Sequence, residues 1–199
     1  MPRKGSARFW KNANHNGGTL EPCPLRPMNH DNYSNDYIRG TLNAVRSFAM
    51  VGASANTVRP SYFVLKYLLD KGYVVVPVNP GSAGSEILGQ KVYASLHDMP
   101  EPVDVVEIFR NSEAALGITK DAIEIGAKVV WMQLSVRNDE AARLAEDAGL
   151  TVVMNRCPKI EYARLSGEIG WAGVNSRQIS SKRPKIAPKG IQHRLLRDT

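Results

Sequence analysis

The sequence predicts an α/β fold in which five parallel strands form a doubly wound sheet with helices on both faces. Short apolar, β-branched runs alternate with amphipathic segments at a spacing of roughly 25 residues, which is typical of βαβ units. The apolar run 48–51 is followed at once by Gly52-Ala53-Ser54 and then by an amphipathic run, which indicates a strand, a tight turn and a helix. Right-handed crossovers would cover both faces of the sheet. We expect the strand order 3-2-1-4-5.

The first half of the predicted domain contains two helices and two strands. Apolar residues at helical spacing predict a helix over 36–45. The next run, 47–52, has no helical spacing and is predicted to be the first strand, and the helix over 61–71 ends at a glycine. The β-branched run 73–78 is predicted to be the second strand, buried on both faces.

The second half repeats the same alternation three times. Apolar runs predict the remaining strands, and cap residues followed by apolar helical spacing predict the helices between them. A short helical turn over 95–99 precedes this half. The predicted strands are 103–109, 128–134 and 150–154, and the predicted helices are 112–126, 139–148 and 160–165.

Charge and composition divide the 199-residue chain into three parts. Residues 1–35 are rich in Asn, Pro and Gly and are predicted to be an irregular or disordered extension. Residues 36–175 form the predicted domain, and 176–199 form a basic tail. The net charge is +4 over 1–46, +6 over 176–199 and −3 over 47–175, so the basicity belongs to the ends. Solvated tails explain this better than a specific nucleic-acid site, since no recognition motif accompanies the charge.

Composition also limits the location and the chemistry. No apolar run is long enough to span a membrane, and no secretory signal is recognisable, so we expect no membrane association. Two cysteines do not make a disulfide framework, which favours a reducing cytoplasm. The four histidines are scattered and lack metal-ligand spacing, so we expect no metal site.

A ligand of such a sheet lies beyond the carboxyl ends of the strands, where the strand order reverses. A strand-to-helix turn there presents backbone N–H groups to an anion, and an arginine binds phosphate bidentately. Lys91 is a weaker candidate for the same role. The candidate binding residues are Gly52, Ala53, Ser54, Arg59, Val78, Asn79, Pro80, Phe109, Arg110, Gln133 and Cys157.

The candidate residues favour a binding module over an enzyme. The end of the second strand carries Asn79 rather than the acid that would hold a nicotinamide cofactor's ribose, and the glycine fingerprint is incomplete. Glu107 has no evident partner carboxylate. Cys157 lies beside Arg156 and Lys159, which would lower the pKa of its thiol, although a small buried cysteine is the simpler interpretation.

Five segments resemble one family. VGAS at 51–54, VVVPVNP at 74–80, VDVVEIFR at 103–110, VVWMQLSVRNDEAARLAEDAGL at 129–150 and VVMNRCPKIEY at 152–162 are similar to the stand-alone CoA-binding domain proteins. These in turn resemble the CoA-binding domain of the succinyl-CoA synthetase α subunit. The resemblance implies a Rossmann-like, nucleotide-binding domain that holds coenzyme A.

The resemblance also implies positions for the parts of the ligand. The pyrophosphate would meet Ala53, Ser54 and Arg59, and the adenosine would lie beside Asn79 and Pro80. The pantetheine would run along Phe109, Arg110 and Gln133, with its thiol toward Cys157. No counterpart of the synthetase phosphohistidine segment is present, so catalysis by this chain alone is not expected.

Three hypotheses follow. The first is a CoA or acyl-CoA binding protein, non-catalytic on its own, which serves as a carrier, a sensor, a CoA-thiol redox partner or a partner of an acyl-transferring enzyme. The second is an NAD(P)-dependent oxidoreductase on the same fold. The third is a docking protein that works through its basic ends. The sequence leaves the oligomeric state open.

Overall fold

The computed structural model describes residues 28–167. The predicted basic tail lies outside this range, as does most of the predicted N-terminal extension. Residues 28–34 are irregular and pack against the domain through Tyr33, whose side chain is buried. No helix in residues 28–167 is both long and apolar enough to cross a membrane.

Each long strand and helix of the sequence prediction is present. Short 3₁₀ turns occupy 80–82 and 96–98, the second within the predicted helical turn. The strands are β1 (Ser47–Val51), β2 (Val74–Val78), β3 (Glu86–Ile87), β4 (Gln90–Lys91), β5 (Val105–Ile108), β6 (Val129–Met132) and β7 (Thr151–Val153). The helices are α1 (Asn35–Ala44), α2 (Pro60–Asp70), α3 (Ala115–Glu124), α4 (Asp139–Asp147) and α5 (Pro158–Ser166). The long strands, α3 and α4 are shorter than predicted, α1 and α2 begin and end one residue earlier, and α5 is longer.

Five of the strands form one parallel sheet in the order β2-β1-β5-β6-β7, and β3 and β4 form a separate antiparallel hairpin. The five-stranded doubly wound sheet is as predicted, but the predicted order 3-2-1-4-5 is wrong. Counting only the five long strands, the order is 2-1-3-4-5. The third long strand, β5, pairs with β1, whereas the predicted order has it pair with β2.

Pro77 explains why β2 lies at the edge. Proline has no backbone N–H, so it is confined to positions where no neighbouring strand needs a donor. The carbonyl of Pro77 accepts a hydrogen bond from the N–H of Tyr93, so its polar side faces the outer edge of the sheet. If β2 were an inner strand, Pro77 could not donate a hydrogen bond to the second neighbouring strand. The prediction that this strand is buried on both faces is also wrong, because Val74 is 59% exposed.

Two apolar cores lie on the two faces of the sheet. The first contains Phe48, Met50 and Trp131 from the strands and is covered by α1, α2 and α5. The second contains Val106, Val130 and their neighbours and is covered by α3 and α4. The alternation of side chains along each strand sends neighbours to opposite faces, so both cores draw on the same strands. Helices on both faces are thus as predicted.

Candidate functional site

The strand order reverses between β1 and β5, and Gly52 lies at this point. Its φ is +94°, in the region that favours glycine. A Cβ at this position would lie 2.7 Å from the carbonyl oxygen of Phe109 and 3.0 Å from Cδ of Arg110. Only glycine therefore lets the turn after β1 approach the end of β5 this closely.

Hydrogen bonds join the turn after β1 to the end of β2. The N–H of Gly52 donates to the carbonyl of Val78 over 2.8 Å. The side-chain amide of Asn79 donates to the carbonyl of Ala53 over 2.7 Å, and its oxygen accepts from the N–H of Gly81. Both ends of the Asn79 amide are thus used inside the protein, and Pro80 begins the 3₁₀ turn that follows.

The turn leads into the N-terminus of α2. The Ser54 hydroxyl accepts from the N–H of Asn56, whose side chain in turn accepts from the N–H of Val58. Arg59 is the N-cap residue, is exposed and makes no side-chain cap hydrogen bond. The positive end of an 11-residue helix and an exposed guanidinium therefore lie together, which is an arrangement that attracts a phosphate group.

A cavity of about 660 Å³ begins at this helix end and runs beneath α2 and α5. Its lining is mostly apolar. It contains four of the predicted binding residues, which come from the ends of three different strands: Phe109, Arg110, Gln133 and Cys157. The remaining lining residues are Val58, Pro60, Phe63, Val64, Leu134, Val136, Lys159 and Ile160.

Three polar side chains form a buried group at the inner end of this cavity. Glu107, in the middle of β5, is fully buried on the same sheet face as its register partners Met50 and Trp131. Its Oε1 accepts from Nε2 of Gln133 over 3.2 Å, and Gln133 is also within hydrogen-bonding reach of the Cys157 thiol. Burial raises the pKa of Glu107 well above its ordinary value, so the carboxyl is neutral.

The environment of Cys157 differs from the one predicted. Burial raises the pKa of its thiol, so the expectation of a lowered pKa is wrong. The two neighbouring cations lie elsewhere. Arg156 lies over the ring of Tyr33, and Lys159 lies over the rings of Phe63 and Tyr67. Desolvation therefore dominates, and the simpler interpretation of a small buried cysteine describes the residue.

The loops after β6 and β7 hold Gln133 and Cys157 in place. Ser135 and Asn155 both have positive φ, 68° and 52°, and the side chain of Asn155 accepts from the N–H of Ser135. The indole N–H of Trp131 donates to the carbonyl of Arg156 over 2.8 Å. These hydrogen bonds join the two loops to each other and to β6, so they hold Gln133 and Cys157 in the wall of the cavity.

The remaining predicted residues are not among those that line the cavity. Gly52 adjoins Arg110, and the turn that contains Gly52 and Ala53 is hydrogen-bonded to Val78 and Asn79. Lys91, the weaker candidate, lies over the ring of Tyr93 beside the β3–β4 hairpin and does not line the cavity.

Sequence reasoning missed the apolar wall. Val58 and Phe63 line the cavity although they are 76% and 49% exposed, and Leu134 does so at 47%. Large apolar side chains that are exposed often mark a ligand-binding surface, so Val58 and Phe63 near the start of α2 are the signal for this wall. The partner of Glu107 was missed as well, because it is the Gln133 amide and not a second carboxylate.

One group of possible metal ligands lies at the opposite edge of the sheet. Within residues 28–167, the ligand atoms of His97, Asp121 and Glu124 lie within 4.8 Å of one another. All three side chains are about half exposed or more, and the separations of 3.6 and 3.8 Å from the His97 ring are those of surface ion pairs. This group is not connected with the cavity.

Comparison with known proteins places the chain in a family. Residues 46–163 match a family model described as a CoA binding domain. An uncharacterised protein, YneT of Bacillus subtilis, is 36% identical over 132 residues, which are 66% of this chain and 96% of that protein. A hypothetical protein of Pyrococcus horikoshii, with a solved structure, is 40% identical with a TM-score of 0.65 and covers 75% of this chain and 100% of its own.

A larger enzyme contains a similar segment. The α subunit of an ADP-forming acetate–CoA ligase of Pyrococcus furiosus is 33% identical over 89 residues, which are 43% of this chain. The match spans only 19% of that subunit.

Proposed function

The chain belongs to the family of CoA-binding domain proteins, and we propose that it binds coenzyme A or an acyl-CoA without catalysing a reaction on its own. The observation that carries this proposal is Gly52, which lets the turn after β1 meet the end of β5 at the reversal of the strand order. Phosphate-binding groups and an apolar cavity meet at that point. Coenzyme A has the same two parts, a charged nucleotide and a long, mostly uncharged arm.

The proposed pose follows the charge distribution. The pyrophosphate lies at the N-terminus of α2, where it meets the backbone after Ala53, the Ser54 hydroxyl and Arg59. The adenosine lies beside Asn79 and Pro80. The pantetheine enters the cavity past Phe109 and Arg110. Its thiol ends beside Gln133 and Cys157.

The nicotinamide alternative has no observation in its favour. A ribose 2′-OH would need a carboxylate at the end of β2. That position holds Asn79, whose amide already bonds Ala53 and Gly81, and residues 80–83 that follow carry no acid. We therefore propose coenzyme A rather than NAD(P) as the ligand.

We propose a non-covalent carrier or sensor in preference to a redox partner. A mixed disulfide with coenzyme A requires the thiolate of Cys157, and the raised pKa of that thiol disfavours it. Mass spectrometry after treatment with CoA disulfide tests this choice. We expect no adduct that Cys157→Ser removes, and a stoichiometric adduct lost in that variant would favour the redox role.

The pose is tested by comparing two ligands and two variants. Pantetheine lacks the pyrophosphate, so Arg59→Ala should weaken coenzyme A binding and leave pantetheine binding unchanged. A charge-assisted hydrogen bond contributes roughly 1.5–3 kcal/mol, which corresponds to a loss of about tenfold to a hundredfold in affinity. Lys66→Ala, which removes an exposed cation from the same helix, is the control. Equal losses for both ligands, or for both variants, would contradict the pose.

A further inference from the structure

We propose that the inner end of the cavity, formed by Gln133 and Cys157, receives the thioester of an acyl-CoA whose acyl group is uncharged and apolar. This inference rests on the proposed function and goes beyond it by choosing the ligand class. Three observations carry it: the donors at the inner end, the lack of a formal charge there, and the apolar wall.

The donors come from one oriented amide. The N–H of Leu134 donates to Oε1 of Gln133 over 2.8 Å, which turns Nε2 the other way, toward Glu107. An amide nitrogen carries two N–H groups, and Glu107 accepts only one of them. The second faces the Cys157 sulfur, which is a weak acceptor. A thioester carbonyl is a stronger acceptor than the sulfur and would take this N–H.

Glu107 supports the amide from below. It is fully buried, and its Oε2 has no hydrogen-bond partner within residues 28–167. A buried carboxyl without a countercharge is protonated, so the group behind Gln133 is a neutral acid and not a carboxylate. The inner end therefore holds a set of neutral hydrogen-bonding groups and no formal charge.

The cations of the cavity lie away from this end. Arg110 is exposed, and the ammonium of Lys159 lies 5.8 and 5.7 Å from the ring centres of Phe63 and Tyr67 on the α2–α5 surface. An acyl carboxylate placed beside Gln133 would therefore be desolvated without a countercharge. Such burial is strongly unfavourable, so a dicarboxylic acyl group is rejected.

The apolar wall favours additional methylene groups. Val64, Val136 and Ile160 line the cavity and belong to or adjoin the cores on the two faces of the sheet. Burial of a methylene contributes about 0.8 kcal/mol, which is up to about fourfold in affinity per group. A short aliphatic acyl group is thus the ligand that this part of the cavity fits.

The test is a calorimetric titration of the full chain with coenzyme A, acetyl-CoA, butyryl-CoA and succinyl-CoA. Butyryl-CoA should bind more tightly than acetyl-CoA, by up to about fifteenfold for two methylenes, and at least about tenfold more tightly than succinyl-CoA. If succinyl-CoA binds as tightly as butyryl-CoA, or if free coenzyme A binds more tightly than every acyl-CoA, this inference is wrong while the proposed function stands. If no member of the series binds, both are wrong.

The role of Gln133 is tested with a carbonyl-free ligand. S-ethyl-CoA has the chain of acetyl-CoA without the thioester oxygen, so the wild type should prefer acetyl-CoA by roughly fivefold, the value of one hydrogen bond. Gln133→Met should remove this preference, and Gln90→Met, the same change on the β3–β4 hairpin outside the cavity, should keep it. An unchanged preference in Gln133→Met would overturn the role. If that variant does not fold, the wild type still provides a test. Equal affinity of the wild type for acetyl-CoA and S-ethyl-CoA would show that no protein N–H donates to the thioester carbonyl.

Discussion

Replacement of Glu107 by glutamine should stabilise the protein at neutral pH. Glu107 is fully buried, its Oε1 accepts from Gln133, and its Oε2 has no partner within residues 28–167. Glutamine has nearly the same shape and can accept the same hydrogen bond through its oxygen. The substitution therefore removes the titration of the group and leaves the packing in place.

The magnitude follows from the raised pKa of Glu107. The carboxyl binds its proton more tightly in the folded chain than in the unfolded chain, where its pKa is near the ordinary value of 4.5. The stability that the neutral carboxyl contributes is complete below that value and is lost as the pH rises toward and through the folded pKa. Each pH unit in this window costs the wild type about 1.4 kcal/mol. Glutamine does not titrate, so Glu107→Gln does not lose this stability.

The assay is urea unfolding of both proteins between pH 5 and pH 8. The free energy of unfolding of Glu107→Gln minus that of the wild type should grow by about 1.4 kcal/mol per pH unit in the window and then become constant. Other titrating groups are common to both proteins and cancel in the difference.

A second buried glutamate provides the control with the opposite sign. Glu161 accepts from Arg164 over 2.6 Å and lies 3.8 Å from Arg156, so it is a paired carboxylate. Glu161→Gln should destabilise the protein by roughly 1.5–3 kcal/mol, the value of hydrogen bonds to a charged group. Parallel pH profiles for Glu107→Gln and the wild type would refute the assignment of Glu107 as a buried neutral acid.

Three further substitutions or probes test the site and its support. Gly52→Ala combines a positive φ with a steric clash, so it should lower the free energy of unfolding by about 2–4 kcal/mol and abolish coenzyme A binding. Gly84→Ala has a positive φ but no neighbour within 4 Å, so it should cost only about 1–2 kcal/mol and leave coenzyme A binding normal. Equal effects of the two variants in thermal melting and ligand titration would contradict the close approach of Gly52 to β5. Tyr33→Phe leaves the buried N–H of Met154 without its acceptor and should lower the free energy of unfolding by about 1–3 kcal/mol. Burial also raises the pKa of Tyr33 to about 12, so its ultraviolet titration in the wild type should occur near that pH. Titration near pH 10 would contradict this environment. Alkylation of Cys157 in a Cys23→Ser background should accelerate only above pH 9, and rapid alkylation at pH 7 would point to a thiolate.

Most of the fold could be predicted because the strands and helices carry strong local patterns. The order of the strands could not be read from those patterns, since hydrophobic runs do not say which strands pair. Pro77 did contain the relevant information: a residue without an N–H belongs at the edge of a sheet. The β3–β4 hairpin was also missed, because its strands have only two residues each and a turn-like composition.

The site was partly predictable for a topological reason. Residues that follow parallel strands meet at one edge of the sheet, so Phe109, Arg110, Gln133 and Cys157 were found from the strand ends alone. The pKa of Cys157 was predicted in the wrong direction because neighbours in sequence are not neighbours in space. The ammonium of Lys159 lies over the rings of Phe63 and Tyr67, and burial determines the thiol's environment.

The most direct test of the account is a calorimetric titration of the full chain with coenzyme A and, separately, with NAD. The account predicts one coenzyme A bound per chain, with NAD binding much more weakly, because the phosphate-binding turn leads into an apolar cavity and the end of β2 carries Asn79 instead of an acid. Tight NAD binding with no coenzyme A binding would contradict it and would favour the oxidoreductase hypothesis.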